Sequence, residues 1–504
     1  MREQGKRRAL TVFIALCIQV LFTMLVYIYF ARYSLSVELF LRVVSLLFVF
    51  LFFKDSRKLS NNIFYILLFV LFPILGSLLF VLFSNNIFGS KLVRSINKNA
   101  NVTKDYLKQD EEILKTIDKE NKSVYPQAQY ISKHGGYPIY SNCKMTYFKC
   151  GEEAFPDILK ELKKAKKYIF MEYFIIGLGN MWDQVLEILK QKVKEGVEVR
   201  VIYDDVGSLQ SLPRFYDEEL EKMGINCICF NKFNFIFKMI FNNRDHRKIL
   251  IIDGVTSYTG GINIADEYIN LIECFGYWKD NCIKIEGEAS WNFTIAFLKM
   301  WNVCRHLGKN FNSYKPTYKK YKNCGYVAPY CSNPLKKESI GEGVYINMIN
   351  QSSKYLYIMT PYLIIDNDMI KALVNAKKRG VDVKIMTPGI PDKKIVYSVT
   401  KSNYDVLLKN GIEIYEYSPG FLHSKMFLAD DIVASIGTIN LDYRSLDQHF
   451  ECSAFIYKDK VLKTIKEDAE GTLKECKRIT LKNNKVGLIK SIYRGVLKVF
   501  APLL

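Results

Sequence analysis

The chain has 504 residues and a formal net charge of +20, from 71 Lys and Arg against 51 Asp and Glu. That length has room for two or three domains, and a charge so far from zero implies an anionic partner, either nucleic acid or an anionic membrane surface. The 12 Cys are scattered and include no C-x2-C pair, which argues against a zinc site and a dense disulfide framework and suits a reducing compartment.

Read from the N-terminus, Ala9 to Phe30 form an uncharged apolar run long enough to span a bilayer. It is too long for the core of a signal peptide, and no small-x-small cleavage site follows it. Val43 to Phe53, extended toward Val37 at the cost of Glu38 and Arg42, predicts a second span or a half-buried hairpin arm. Ile63 to Phe83, with Pro73 and Gly76, predicts another span. Residues 1–84 are therefore expected to form a membrane region with two or three transmembrane helices, in a multi-pass protein of the cell membrane. The basic clusters Arg2, Lys6, Arg7, Arg8 and Lys54, Arg57, Lys58 are assigned to the cytoplasm by the positive-inside rule. Three spans would put the large C-terminal part outside, but the cysteine pattern favours the cytoplasmic side.

Residues 85–125 are polar and predict a linker or a surface helix pair. Beyond them, strand-like and helix-like stretches alternate. Tyr168 to Ile176 reads as a buried strand, Asp183 to Lys194 as a helix, and Gly196 to Asp205 as a second strand. The unit recurs as Tyr355 to Tyr362, Asp368 to Arg379 and Gly380 to Pro388. The expected fold class is α/β, with two duplicated halves over residues 126–320 and 321–480. Each half is a mixed sheet flanked by helices, and both pack around one shared site. A basic tail over 481–504 completes the chain. It sets Ile489, Ile492, Val496, Val499 and Phe500 along one helical face, with Lys490, Arg494 and Lys498 beside it. Such a helix suits an anionic interface.

One frame occurs in both halves: His246-Arg-Lys248 with Asp253, and His423-Ser-Lys425 with Asp430. Gly260-Gly261-Ile-Asn263 follows the first and Gly437-Thr438-Ile-Asn440 the second. On a strand, His-x-Lys places imidazole and ammonium on one face. Each Asp lies past its strand; it is counted with the catalytic set of His246, Lys248, Asp253, His423, Lys425 and Asp430 but is expected to anchor a turn rather than touch substrate. Asn263 and Asn440 follow glycines, where backbone approaches a ligand closely, and are expected to bind substrate phosphate. So many donors suit a tetrahedral phosphoryl group, and two histidines permit one to attack while the other moves protons. Each imidazole needs a partner to fix its tautomer, and Asp280 and Glu451 are the candidates. His449 is read as a structural histidine, and Asp442 with Arg444 as an internal ion pair.

These residues resemble the phospholipase D superfamily and, within it, the bacterial cardiolipin synthases, over nearly the whole chain. The resemblance rests on the paired frames together with Glu172-Tyr173, Gly276-Tyr277-Trp278, Thr360-Pro361-Tyr362 and the run from Gly437 to Ser445. It implies two phospholipase D-like halves and a phosphatidyl transfer that uses neither metal nor cofactor. In that scheme His246 becomes a phosphohistidine, His423 is the acid and base, and Lys248, Lys425, Asn263 and Asn440 hold the phosphate. The implied reaction joins two phosphatidylglycerols into cardiolipin and releases glycerol, so the expected partners are phosphatidylglycerol and anionic membrane lipids. The chain departs from the pattern at Thr438, where Ser is commoner, and at His449, where Asn is expected. A phospholipase D-type hydrolase, or a transferase with another alcohol acceptor, is the alternative. A nuclease would suit the positive charge, but the expected spans point away from nucleic acid. Intact His and Lys in both halves argue against a lipid-binding scaffold.

Overall fold

Two sheets repeat one strand plan. The computed structural model describes residues 105–232, 243–305, 310–322, 324–336, 338–499 and 501, plus six helical positions between Leu21 and Val43. The remainder of the three apolar N-terminal runs, His306 and Phe500 lie outside the described residues. Among the described residues, no helix is long and apolar enough to cross a membrane.

The strands of the first half are β1 (Lys144–Phe148), β2 (Tyr168–Tyr173), β3 (Glu198–Asp204), β4 (Asn226–Phe230), β5 (Lys248–Ile252), β6 (Thr256–Gly260), β7 (Tyr277–Lys279) and β8 (Cys282–Glu286). All but β7 form a seven-stranded sheet in the order β1-β8-β6-β5-β2-β3-β4. The second half contributes β9 (Tyr326–Ser332), β10 (Tyr355–Met359), β11 (Leu363–Ile364), β12 (Asp382–Pro388), β13 (Glu413–Tyr417) and β14 (Gly420–Leu422). It continues with β15 (Met426–Ala429), β16 (Val433–Gly437), β17 (Leu441–Asp442), β18 (Glu451–Tyr457) and β19 (Cys476–Ile479). Its eight-stranded sheet runs β19-β13-β12-β10-β15-β16-β18-β9. The parallel trio β2-β3-β4 is therefore answered by β10-β12-β13, and the antiparallel set β5-β6-β8 by β15-β16-β18.

Named in chain order, the helices that matter below are α1 (Glu111–Glu120), α2 (Asn180–Lys194), α3 (Ser290–Cys304), α4 (Asn367–Lys378), α5 (Lys394–Lys409) and α6 (Leu488–Val499). Parallel neighbours need a crossover, which α2 supplies between β2 and β3 and α4 between β10 and β12. Both helices have a carboxylate at the N-terminus. Asp366 accepts from Met369 N at 2.9 Å, and Asp266 accepts from Asn180 and Met181 N at 3.0 and 2.8 Å. β5 and β15 are buried at every position, which explains their unbroken apolar runs.

One core cluster unites the halves: Phe170, Ile249 and Phe297 of the first pack with Met426, Ile436 and Ala454 of the second. The buried helix α3 brings Trp291, Phe293 and Phe297 into it. The amphipathic α1 buries Leu114 and Ile117, so the polar stretch 85–125 is not wholly a linker. Val124, Ala128 and Ile131 pack with Tyr345 and Ile358 in the core of the second half, and the first sheet begins at β1.

Candidate active site

The two His-x-Lys segments enter β5 and β15 from the same kind of place. His246 precedes β5, whose first residue is Lys248; His423 and Lys425 lie between β14 and β15. The frames are thus strand entries rather than mid-strand positions. Each is held by the opposite half. His246 N donates to Phe450 O at 2.9 Å, while Phe450 N donates to Arg244 O at 2.9 Å. His423 N donates to Lys279 O at 2.7 Å, and β14 pairs in parallel with β7.

The imidazoles follow the same crossing. His246 Nδ1 lies 2.9 and 3.0 Å from the two carboxylate oxygens of Glu451, in the second half. His423 Nδ1 lies 2.6 Å from Asp280 Oδ2, in the first half. A carboxylate can only accept here, so it fixes the proton on Nδ1 and leaves the Nε2 lone pair available. Both carboxylates are fully buried. Burial pushes the Glu451 and Asp280 carboxyls up, but their histidine partners outweigh that and hold both below their ordinary values. Burial pushes the imidazoles down, His246 to about 3 and His423 to about 4. Burial thus favours the neutral imidazole at both ends, with each Nδ1 placed to donate to its carboxylate.

Lys248 and Lys425 are buried beneath the histidines. Each Nζ donates to the carbonyl of its own motif histidine, at 2.7 and 2.5 Å. Burial lowers Lys248 to about 8 and Lys425 to about 7. Asn263 Oδ1 accepts from Ile175 N at 3.0 Å, and its amide donates to Tyr268 Oη at 2.7 Å. Among the described residues, Asn440 Oδ1 is buried without a hydrogen-bond partner. His246, His423, Asn263 and Asn440 line one cavity of about 420 Å³, walled by aromatics including Phe174, Tyr268, Trp278, Tyr362 and Phe421.

Asp253 and Asp430, counted with the catalytic set, stand at the far ends of β5 and β15 from that cavity. Asp253 accepts from the backbone N of Lys166, Lys167 and Tyr168 at 2.7 to 2.9 Å. Asp430 accepts from Ser353, Lys354 and Tyr355 at 2.7 to 2.8 Å. Both have left-handed backbones, φ 51° and 58°, a conformation Asp tolerates better than most residues. They tie the hairpin turn to the start of β2 or β10, in keeping with the anchoring role expected of them.

His449 differs from its reading as a structural histidine. It lines the cavity, its ring centroid is 5.6 Å from that of His246, and its Nδ1 is 3.8 Å from Glu451 Oε1, beyond hydrogen-bond length. Asp442 and Arg444 also line the cavity, with Asp442 accepting from Ser445 N at 2.8 Å. Next in sequence to His246, the Arg247 guanidinium pairs with Asp245 at 2.9 Å and with Glu172.

This fold and this paired-histidine site have relatives. The family model described as cardiolipin synthase, PLD-like domain matches residues 158–301 and 345–472. An uncharacterized protein of Streptococcus mutans is 46% identical over 86% of this chain and 94% of its own length. Cardiolipin synthase 1 of Staphylococcus aureus is 34% identical over 86% of this chain and 90% of its own. Cardiolipin synthase of Alkalihalophilus pseudofirmus is 34% identical over 84% of each chain. In fold alone, phosphatidylserine synthase of Haemophilus influenzae superposes with a TM-score of 0.56 at 16% identity, over 73% of this chain and 98% of that one. The chain belongs to the cardiolipin synthase family with phospholipase D-like domains. It is an enzyme of the phosphatidyltransferase class.

Proposed function

We propose that the chain is a cardiolipin synthase that moves a phosphatidyl group from one phosphatidylglycerol to the terminal hydroxyl of another. The observation that carries this reading is the pair of imidazoles, each held through Nδ1 by a carboxylate of the opposite half and both facing one cavity. In the first step His246 Nε2 attacks phosphorus. A P–N bond forms, the P–O bond to glycerol breaks, and His423 gives its proton to the departing oxygen. The bound phosphodiester anion favours the protonated form of His423 that this step uses. In the second step the hydroxyl of another phosphatidylglycerol loses its proton to His423 and attacks phosphorus. The P–N bond breaks, releasing cardiolipin and restoring His246. Lys248 and Lys425 supply positive charge beneath the phosphoryl group, Asn263 and Asn440 position it, and the aromatic walls carry the lipid glycerol backbones. No step calls for a metal or a cofactor.

The assignment of His246 as the nucleophile rests on the family resemblance. Residues 1–84 serve as the multi-pass membrane anchor in this reading, with the catalytic halves on the cytoplasmic side. The test is incubation of the purified full chain in phosphatidylglycerol-containing vesicles with radiolabelled phosphatidylglycerol, with and without a chelator. Cardiolipin and free glycerol, produced in both cases and absent in His246→Ala, support the proposal. Phosphatidic acid alone makes the enzyme a hydrolase, and no lipid turnover overturns both readings.

A further inference from the structure

Among the described residues, the helix α6 packs by one side and leaves the other bare. Leu497 and Ala501 join Ile364, Val396, Val399 and Tyr443 in a small apolar cluster, and Arg494 Nη1 donates to Asn484 O at 3.4 Å. The opposite face shows Leu488, Ile489, Ile492, Tyr493 and Val496 to solvent, with Ile489 87% and Ile492 58% exposed. A stripe of five large apolar side chains over three turns is not a scatter of single exposed residues, and it marks an interaction surface. The charge of its own segment has one sign. Between Cys476 and Leu504 there is no Asp or Glu, and Lys482, Lys485, Lys490 and Lys498 are exposed.

A bare apolar stripe among cations has the chemistry of the boundary between anionic headgroups and acyl chains. The position of the stripe matters as much as its composition. Ile364 and Val396, against which Leu497 and Ala501 pack, also line the cavity that holds His246 and His423. One helix diameter of about 10 Å therefore separates the bare face from the cavity wall.

We infer that α6 is an interfacial helix, seated on an anionic bilayer by Leu488, Ile489, Ile492, Tyr493 and Val496, and that it sets the mouth of the cavity at the level of the lipid headgroups. The seat itself rests on the exposed face and its charge; its benefit to turnover rests on the phosphatidyl-transfer reading above. Long-chain lipid then reaches the histidines by a short sideways passage rather than by leaving the bilayer.

Two measurements on the full chain test this. In the first, Tyr493→Trp is reconstituted in nanodiscs containing phosphatidylglycerol, with and without brominated acyl chains. The native Trp182, Trp278, Trp291 and Trp301 are all buried, so added quenching reports position 493. Quenching is expected. Unquenched emission means that the protein itself covers the face and overturns the inference; particle mass then tells a second copy of the chain from another segment of the same copy. In the second, Ile489→Glu with Ile492→Glu is assayed on phosphatidylglycerol bilayers and on monomeric short-chain phosphatidylglycerol. Loss on the order of tenfold is expected on bilayers only, because charge at the seat opposes insertion. Equal rates on both substrates, or equal loss on both, overturn it. If the wild type turns over neither substrate, the transfer reading fails, while the quenching result still decides the seat.

Discussion

The two histidine ends of the cavity share one plan and differ in their supports. At the His246 end the partner is Glu451, whose Oε2 also accepts from Thr438 Oγ1, with His449 alongside. At the His423 end the partner is the shorter Asp280, which also accepts from Asn281 N at 2.8 Å. The position equivalent to Thr438 is Gly261, and a Cβ there would fall 1.9 Å from Asp280 Oδ1. A longer carboxylate reaches its histidine with a hydroxyl beside it, and a shorter one needs the side chain removed. Surroundings differ too. His423 is enclosed by Tyr268, Trp278 and Phe421, whereas His246 has Phe174 and His449. The lesson is that equivalent motifs need not have equivalent surroundings: the His423 end has more aromatic neighbours, and the His246 end has the extra polar support.

The largest expected effect comes from removing either imidazole. His246→Ala and His423→Ala should each lower turnover by about 10⁴-fold or more, the upper range for one proton-transfer group. The two should nonetheless be distinguishable with phosphatidylglycerol labelled in phosphorus. His423→Ala retains the nucleophile and should hold an acid-labile label on the protein, while His246→Ala should hold none. Label on His246→Ala would exchange the two roles.

Next are the carboxylates. Glu451→Gln and Asp280→Asn keep the shape but release the tautomer, and each should cost on the order of 10²- to 10³-fold in kcat with little change in KM. A loss confined to one of them would show that only one imidazole depends on its orienter. Thr438→Val removes a hydrogen bond to a charged group worth about 1.5–3 kcal/mol and should cost roughly tenfold or somewhat more. The mirror change Gly261→Thr should be the more damaging, since Asp280 occupies the space its side chain would need.

Smaller still is the expected response to acid. Both imidazoles have folded-state values below the unfolded 6.5, so the unfolded chain binds more protons in the acid range. Stability from these groups is present above pH 6.5 and is lost progressively as pH falls toward the folded values near 4 and 3. Melting temperatures measured from pH 7 to 4 should fall, and His246→Asn or His423→Asn should flatten the fall. Asp253→Asn and Asp430→Asn should lower the melting temperature at neutral pH, through losses of about 1–3 kcal/mol each, and leave kcat of the folded enzyme unchanged.

Much of this was legible in the sequence because duplication is self-checking: two frames with the same downstream Gly-x-x-Asn element marked His246, Lys248, His423, Lys425, Asn263 and Asn440 together. Asp280 and Glu451 were legible as the acidic residues at comparable downstream positions. What spacing could not give was which carboxylate faces which histidine, because that depends on how the halves dock. The placement of the frames at strand entries was missed for a related reason. Alternation describes a strand's faces, but the short links before β5 and β15 are fixed by backbone bonds to the other half. His449 was read as structural because a single histidine has no periodic signal; its departure from the expected Asn was the one available clue. The core contribution of residues 111–131 was hidden by their polar surface, although the spacing of Leu114 and Ile117 carries it.

The crossing of histidines and carboxylates has a consequence for how such a chain can arise. In an isologous contact, residue i of one copy meets residue j of the other and the reverse holds as well. His246 with Glu451, and His423 with Asp280, obey that rule within one polypeptide. A half that paired with its own twin would already own a complete pair of supported imidazoles. Fusion of the twins adds no new contact to the centre. It frees each copy to drift, and Gly261 opposite Thr438, or His449 without a matching histidine, are the marks of that freedom.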